Sequence, residues 1–314
     1  MDAKQTALTT VLVLGGLGVL ISSCSDSDDG HHGEKATTDK HAVAPATHGD
    51  VGHVPSDHLV NMMKEHMPMA PHHAGMAKGN AAMGAAHHAT HWSYEGEGAP
   101  WNWGSLKSEF TTCDEGMSQS PIDISQATIG TLPAIEFNYS ESPLEIVNNG
   151  HTIQANYAPG SFISVGGKQY ELLQFHFHSP SEHTIGGKAY DMVVHLVHKS
   201  ADGQLGVVGI LFKAGDNVNS TIGKLWLNMP EKSGSTVQVP GVKINAADLL
   251  PVDLTYFNYS GSLTTPPCSE GVNWMVLATP QSISTEQVRQ FTDLFPLSTR
   301  PVQPVNGRVV KLSN

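Results

Sequence analysis

From His91 to the C-terminus, apolar and polar positions alternate in short runs. The runs lie at Leu144–Val147, Thr152–Tyr157, Phe162–Val165, Tyr170–His178, Met192–His198, Gly206–Phe212 and Val272–Leu277. Breakers separate them, among them Asn148-Asn149-Gly150, Pro159-Gly160, Gly166-Gly167 and Gly186-Gly187. Short β-branched and aromatic runs at this spacing predict a mostly antiparallel β architecture. Helical signals are few. Ser284-Thr285-Glu286-Gln287 has the form of a capping box ahead of Val288, Phe291 and Phe295, and a second short helix is expected over Ser220–Leu227. The expected fold is mainly β with a few short helices, a single domain around a large twisted sheet. The 224 residues of 91–314 suffice for one core.

Upstream the pattern is different. One Lys in Met1–Lys4 precedes a nearly uniform apolar or small run over Ala7–Ile21, too short for a comfortable span and read as a bacterial signal peptide. It ends in Ile21-Ser22-Ser23-Cys24, similar to the lipobox of bacterial lipoproteins, in which the Cys is acylated. An ordinary secretory peptide and an uncleaved anchor are the alternatives to this reading of residues 1–24. All three put the rest of the chain outside the cytoplasm, where disulfides are permitted, and the lipoprotein reading puts it in the bacterial cell envelope, periplasmic or surface-facing. Residues 25–90 read as a disordered His/Met-rich linker. Ser25–Gly30 is acidic and small, and the remainder has too little apolar surface to offset its chain entropy, apart from a short helix around Ser56–Met67 capped by Ser56. Its imidazoles suit Zn²⁺ or Cu²⁺ and its thioethers Cu⁺, so a metal-gathering tether and a plain spacer both stay open.

Composition narrows the field. The chain has 314 residues, 17 Lys+Arg, 29 Asp+Glu and a formal net charge of −12, with no basic excess for nucleic acid. Three Cys exclude a disulfide-dense mini-protein. The 18 His are the unusual count: twelve lie from His31 to His91 and six from His151 to His198. Protonating the first twelve would offset the formal charge, so the charge should swing between about pH 5 and 8.

The second group carries candidate chemistry. With a strand period of two, Leu173, Phe175 and Phe177 point one way, and Gln174, His176 and His178 the other. His195 shares a face with Val193 and Val197 on another alternating run. The pair His176 and His178 alone could equally be hydrogen-bonded or exposed. A third His on a paired strand makes a His₃ site with one open position, as catalytic Zn²⁺ uses.

The motifs resemble the α-class carbonic anhydrases. They are Gln174-Phe175-His176-Phe177-His178, Ser181-Glu182-His183, His195-Leu196-Val197-His198 and Ser262-Leu263-Thr264-Thr265-Pro266-Pro267-Cys268. Further matches are Trp92-x-Tyr94, Gln119-Ser120-Pro121-Ile122-Asp123-Ile124, Asn148-Asn149-Gly150-His151 and Arg300-Pro301-x-Gln303-Pro304-x-Asn306-Gly307-Arg308, in family order over nearly all of 91–314. The resemblance implies a zinc lyase that reversibly hydrates carbon dioxide to bicarbonate and a proton, by attack of zinc-bound hydroxide. It implies His176, His178 and His195 as ligands, and Thr264 with Glu182 as the pair that aims the hydroxide. It implies Val197, Val207, Leu263, Thr265 and Trp274 around the CO₂ pocket. His151 takes the proton-shuttle position, and Tyr94, Asn149 and Gln154 order the intervening waters. Gln174 orients the first ligand. Cys113 and Cys268 match the family's disulfide in exported members, which leaves Cys24 for the lipid.

One position departs from the family. Two residues before the third ligand the family commonly has Glu, and this chain has Val193. Loss of such a group typically costs about 10–100-fold in metal affinity or activity, so a faster zinc off-rate is expected. Two rival readings are a metal-buffering envelope lipoprotein with an inactive domain, and a cupin-like metalloenzyme. His176-x-His178-x-x-x-Glu182 fits the first cupin motif, but Tyr170 and Ala189 stand where cupins want Gly. Expected partners are CO₂ and bicarbonate, no nucleic acid, and a membrane only through the lipid. The oligomeric state stays open, a dimer included.

Overall fold

β-Branched and aromatic runs become strands wherever a period of two lets one or both faces bury. The structure, a computed structural model, describes residues 91–314. The signal segment, Cys24, the linker and the Ser56–Met67 helix expected from the sequence lie outside the described residues. The first strands are β1 (Asp123–Ile124), β2 (Thr128–Ile129), β3 (Glu136–Asn138), β4 (Ser142–Asn148) and β5 (Ile153–Asn156). Next come β6 (Phe162–Val165), β7 (Lys168–His178), β8 (Thr184–Ile185), β9 (Met192–Ser200) and β10 (Leu205–Gly215). The last are β11 (Ser235–Ile244), β12 (Tyr256–Ser262), β13 (Glu270–Leu277), β14 (Gln281–Ser284) and β15 (Lys311–Leu312). Short α-helices are α1 (Trp103–Leu106), α2 (Thr112–Glu115), α3 (Ser220–Trp226) and α4 (Thr285–Thr292).

Thirteen strands form one large mixed sheet, ordered β11-β4-β5-β7-β9-β10-β13-β12-β15-β2, with β14 beside β10 and β6 and β3 branching from β7. Among the described residues nine pairings are antiparallel and four parallel. The centre, β9 and β10, is buried on both faces. On one face Phe175, Phe177, Val194, Leu196, Val208, Ile210 and Phe212 pack with Trp226 of α3 and Phe291 of α4. On the other, Val193, Val197, Val207, Leu211 and Trp274 form a smaller apolar cluster. The side chains of His176, His178 and His195 rise from that second face.

The helix signals hold. In α4 the Ser284 hydroxyl accepts the Gln287 N–H at 3.1 Å, and the Gln287 side-chain carbonyl accepts the Ser284 N–H at 3.2 Å. α3 is capped by Asn219, whose side chain accepts the Ile222 N–H at 3.0 Å.

Strict alternation fails at one residue. The β7–β9 register shifts between Leu172 and Gln174. Leu172 is therefore 1% exposed and in the core, while Leu173, expected beside Phe175 and Phe177, is 41% exposed. An extra residue in one strand reverses the in–out parity beyond it. β11 was not expected at all, because Pro240-Gly241 interrupts its pattern. It lies at the sheet edge with a register shift between Gln238 and Lys243, where a missing N–H is tolerated.

The disulfide implied by the resemblance is present. Cys113 of α2 is bonded to Cys268 beyond β12, tying the N-terminal segment to the Thr264–Pro267 loop. Gly261 sits where that loop begins. A Cβ there would lie 2.8 Å from both Tyr259 and Trp274 ring atoms and closer still to the Ser120 hydroxyl.

Candidate metal centre

β7 and β9 pair so that His176 lies opposite His195, and His178 opposite Val193. Three imidazoles thus meet on one face, each offering a nitrogen, with those nitrogens all within 4.8 Å of one another. Two rings are oriented by outer partners. His176 donates from Nδ1 to the Gln174 Oε1 at 2.9 Å, and His178 donates from Nδ1 to the Ser298 carbonyl at 2.6 Å. Each is thereby fixed in the tautomer that leaves Nε2 free as a lone-pair donor. His178 Nε2 is buried without a hydrogen-bond partner. Burial, reinforced by neighbouring imidazoles, holds His176 and His195 well below the usual imidazole range, so both are neutral. Three convergent nitrogens, one of them a buried orphan, fit Zn²⁺.

Glu182 is buried beside these rings. Its Oε1 accepts the Arg300 backbone N–H at 3.0 Å. Its Oε2 has no hydrogen-bond partner and lies 3.7 Å from His178 Nε2 and 3.8 Å from His195 Nδ1. Burial pushes this carboxyl up, and His178, the Arg300 N–H and the Thr264 hydroxyl oppose that push. Thr264 is itself buried. Val197, Val207 and Trp274 share the apolar cluster on this face, with Leu263 packed against it. Thr265 is half-buried and accepts the Cys268 N–H at its carbonyl, 2.9 Å away.

The expected proton-path residues are less alike. His151 stacks on Trp92 with ring centroids 3.6 Å apart, and its Nε2 is 3.0 Å from His91 Nε2. Burial, then His91, lowers it to about 4. Asn149 uses its side-chain oxygen to accept the His151 and Thr152 N–H groups, both at 3.0 Å, so it caps the turn. Gln154 stands opposite His176 and donates to Asn156 at 2.7 Å. Tyr94 is buried with an unpartnered hydroxyl. Two further imidazoles make hydrogen bonds within the fold. His183 Nε2 pairs with the Tyr259 hydroxyl at 2.6 Å, and His198 bridges the Tyr139 hydroxyl and the Gly206 carbonyl.

Two contributors were given no role from the sequence. The Ser298 carbonyl carries no side-chain signal at all. Arg300 had one, the Arg300-Pro301 motif. Its guanidinium donates to the Gln119 side chain and to the Ser120 and Cys113 carbonyls, and so ties the disulfide region to Glu182.

A three-imidazole centre on one face of a large mixed β-sheet, backed by a buried carboxylate and an apolar wall, defines a class of zinc enzyme. The family model for eukaryotic-type carbonic anhydrase matches residues 98–314. A carbonic anhydrase of Klebsiella pneumoniae is 47% identical over 226 residues, covering 71% of this chain and 91% of that protein. One of Neisseria gonorrhoeae is 44% identical over 237 residues, with 73% and 91% covered. The solved α-carbonic anhydrase of Thermovibrio ammonificans, in complex with the inhibitor sulfanilamide, superposes with a TM-score of 0.69 at 42% identity, covering 70% of this chain and 98% of that one. The chain belongs to the alpha-type carbonic anhydrase family. It is a zinc-dependent enzyme that interconverts carbon dioxide and bicarbonate, and the cupin and inactive-domain readings are not favoured.

Proposed function

We propose that the chain hydrates CO₂ with His176, His178 and His195 holding the zinc and the remaining site residues dividing the work around it. The observation that carries this is the convergence of those three imidazoles beside the unpartnered Glu182 oxygen. Zinc held there supplies Lewis acidity that brings a water toward a pKa of about 7, for which carbonic anhydrase is itself the reference case. Glu182 accepts a hydrogen bond from the Thr264 hydroxyl, and the proton stays on Thr264. Thr264 Oγ1 is then left as an acceptor and would orient the nucleophile that bound zinc supplies toward the CO₂ carbon. Val197, Val207, Leu263 and Trp274 hold the apolar substrate, with Thr265 at its edge. Gln174 and Ser298 fix the rings of His176 and His178. His151 carries the proton outward, and Tyr94, Asn149 and Gln154 line its water path.

The Thr264→Ala variant tests the orienting role. Removing it should lower kcat/KM by about 100-fold, the scale of one lost orienting or charge-stabilising donor, while zinc content stays at one per chain. Wild-type turnover would remove Thr264 from the mechanism.

The disulfide is consistent with an exported protein. We extend this to an envelope lipoprotein: residues 1–24 address the chain, Cys24 carries the lipid, and residues 25–90 tether the enzyme and gather Zn²⁺ or buffer protons beside it. The support is the lipobox-like end of the apolar run and the His/Met bias of the linker. Labelled fatty acid should enter the native chain and not Cys24→Ser. Label retained by the variant would refute the anchor. Deleting His31–Thr90 should lower activity under zinc limitation and weak buffering. Unchanged activity would make the segment a plain spacer.

A further inference from the structure

On β7, Gln174 stands two residues before His176 on the same strand face and accepts its outer N–H at 2.9 Å. Ser298 gives His178 the same support through its carbonyl at 2.6 Å. On β9 the equivalent place, two residues before His195 on the same face, is Val193. It is fully buried in the apolar cluster and accepts nothing. His195 Nε2 is accordingly buried with no hydrogen-bond partner. A second orphan lies alongside, for His183 Nδ1 is also buried and unpartnered. The two rings are 6.2 Å apart, with Trp274 4.9 and 4.6 Å from them. Trp274 Nε1 already donates to the Ser262 carbonyl, and the Tyr259 hydroxyl is taken by Ser120 and His183.

We propose that Val193 leaves the third zinc ligand unbraced, and that this residue sets a fast exchange of the metal. The inference rests on the three-histidine zinc reading. Val193 is a positioning residue, acting through His195. A metal-binding imidazole needs its proton on the outer nitrogen, and an acceptor there holds it in that tautomer and fixes the ring. For His195 the balance runs the other way. Nothing accepts at Nε2, while Glu182 Oε2 lies 3.8 Å from Nδ1, the nitrogen that must be free to bind. His178 faces the same carboxylate at 3.7 Å, but Ser298 keeps its proton on Nδ1. Of the three rings, His195 alone must be held in its binding tautomer by the metal itself.

The test is zinc release from the full-length, zinc-loaded enzyme into excess chelator, for wild type, Val193→Gln, Val193→Glu and Val193→Ala. Gln and Glu place an acceptor where Gln174 places one for His176, and release should slow by about 10–100-fold. Ala supplies none, and its release should be no slower than wild type. Ring ¹H–¹⁵N spectra of zinc-loaded wild type give a readout that needs no variant. Hydrogen-bonded, exchange-protected ring N–H signals should appear for His176 and His178 and not for His195. A third such signal from His195 would overturn the proposal, as would Gln and Glu variants that fold, hold one zinc and release it within about twofold of the wild-type rate. A wild-type chain that takes up no zinc would instead refute the centre, and would be seen before any release is measured.

Discussion

Seven described histidines share one titratable group and do different jobs according to what surrounds each ring. His198 is the simplest. Buried between a hydroxyl donor and a carbonyl acceptor, it is held to about 4 by desolvation. The unfolded value is about 6.5, so the unfolded chain takes up this proton first as pH falls. Its stabilisation is complete above about pH 6.5 and is lost progressively toward about pH 4, at about 1.4 kcal/mol per pH unit within that window. Urea unfolding between pH 4.5 and 6 should show a slope smaller by one proton in His198→Phe, and an unchanged slope would mean that the ring is not neutral in the fold. His151 differs. Stacked on Trp92 it is lowered to about 4, a poor proton acceptor at neutral pH, so the proposed relay role would require that ring to leave the stack. His151→Ala should lower kcat with KM little changed, and imidazole buffer should restore the rate. Turnover that is indifferent to both would take His151 out of the proton path. Residue types and their period revealed the three metal-binding His. Their outer partners were half readable: Gln174 lies on the same strand face, whereas Ser298 acts through a backbone carbonyl that no residue type announces.

Among the elements, the central strands were the readable ones, because β9 and β10 are long apolar runs with both faces buried. Edges were not. β11 carries Pro240 and Gly241 and buries little, so pairing with β4 decides its state. The bulge in β7 was equally invisible, since a period of two has no term for an inserted residue. It makes a sharp prediction. Leu172→Ala should cost about 2–5 kcal/mol in denaturant unfolding, whereas Leu173→Ala should stay near 0.5 kcal/mol. Equal costs would place Leu173 back in the core and remove the bulge. The capping box of α4 was found correctly because its signal is local, four residues long and independent of the sheet.

For the molecule as a whole, the cross-link between α2 and the loop after β12 closes a separation of 155 residues. Chain-entropy reasoning puts its contribution at about 4–5 kcal/mol, an upper value. The double variant Cys113→Ser, Cys268→Ser should lose stability on that scale in urea. A loss below about 1 kcal/mol would mean that hydrogen bonds such as that from the Gln119 side chain to the Cys268 carbonyl already hold the loop. The resemblance supplied this pairing, and cysteine count and spacing alone did not. The formal charge of −12 indicated little about function, whereas histidine number divided by location set apart the group that forms the metal centre. The most direct test of the centre is stopped-flow CO₂ hydration by the full-length chain, before zinc removal, after it, and after stoichiometric zinc is returned. Hydration should vanish with the metal and return in proportion to zinc, reaching full rate at one zinc per chain. A folded chain holding one zinc at His176, His178 and His195 that fails to hydrate CO₂ would contradict the account.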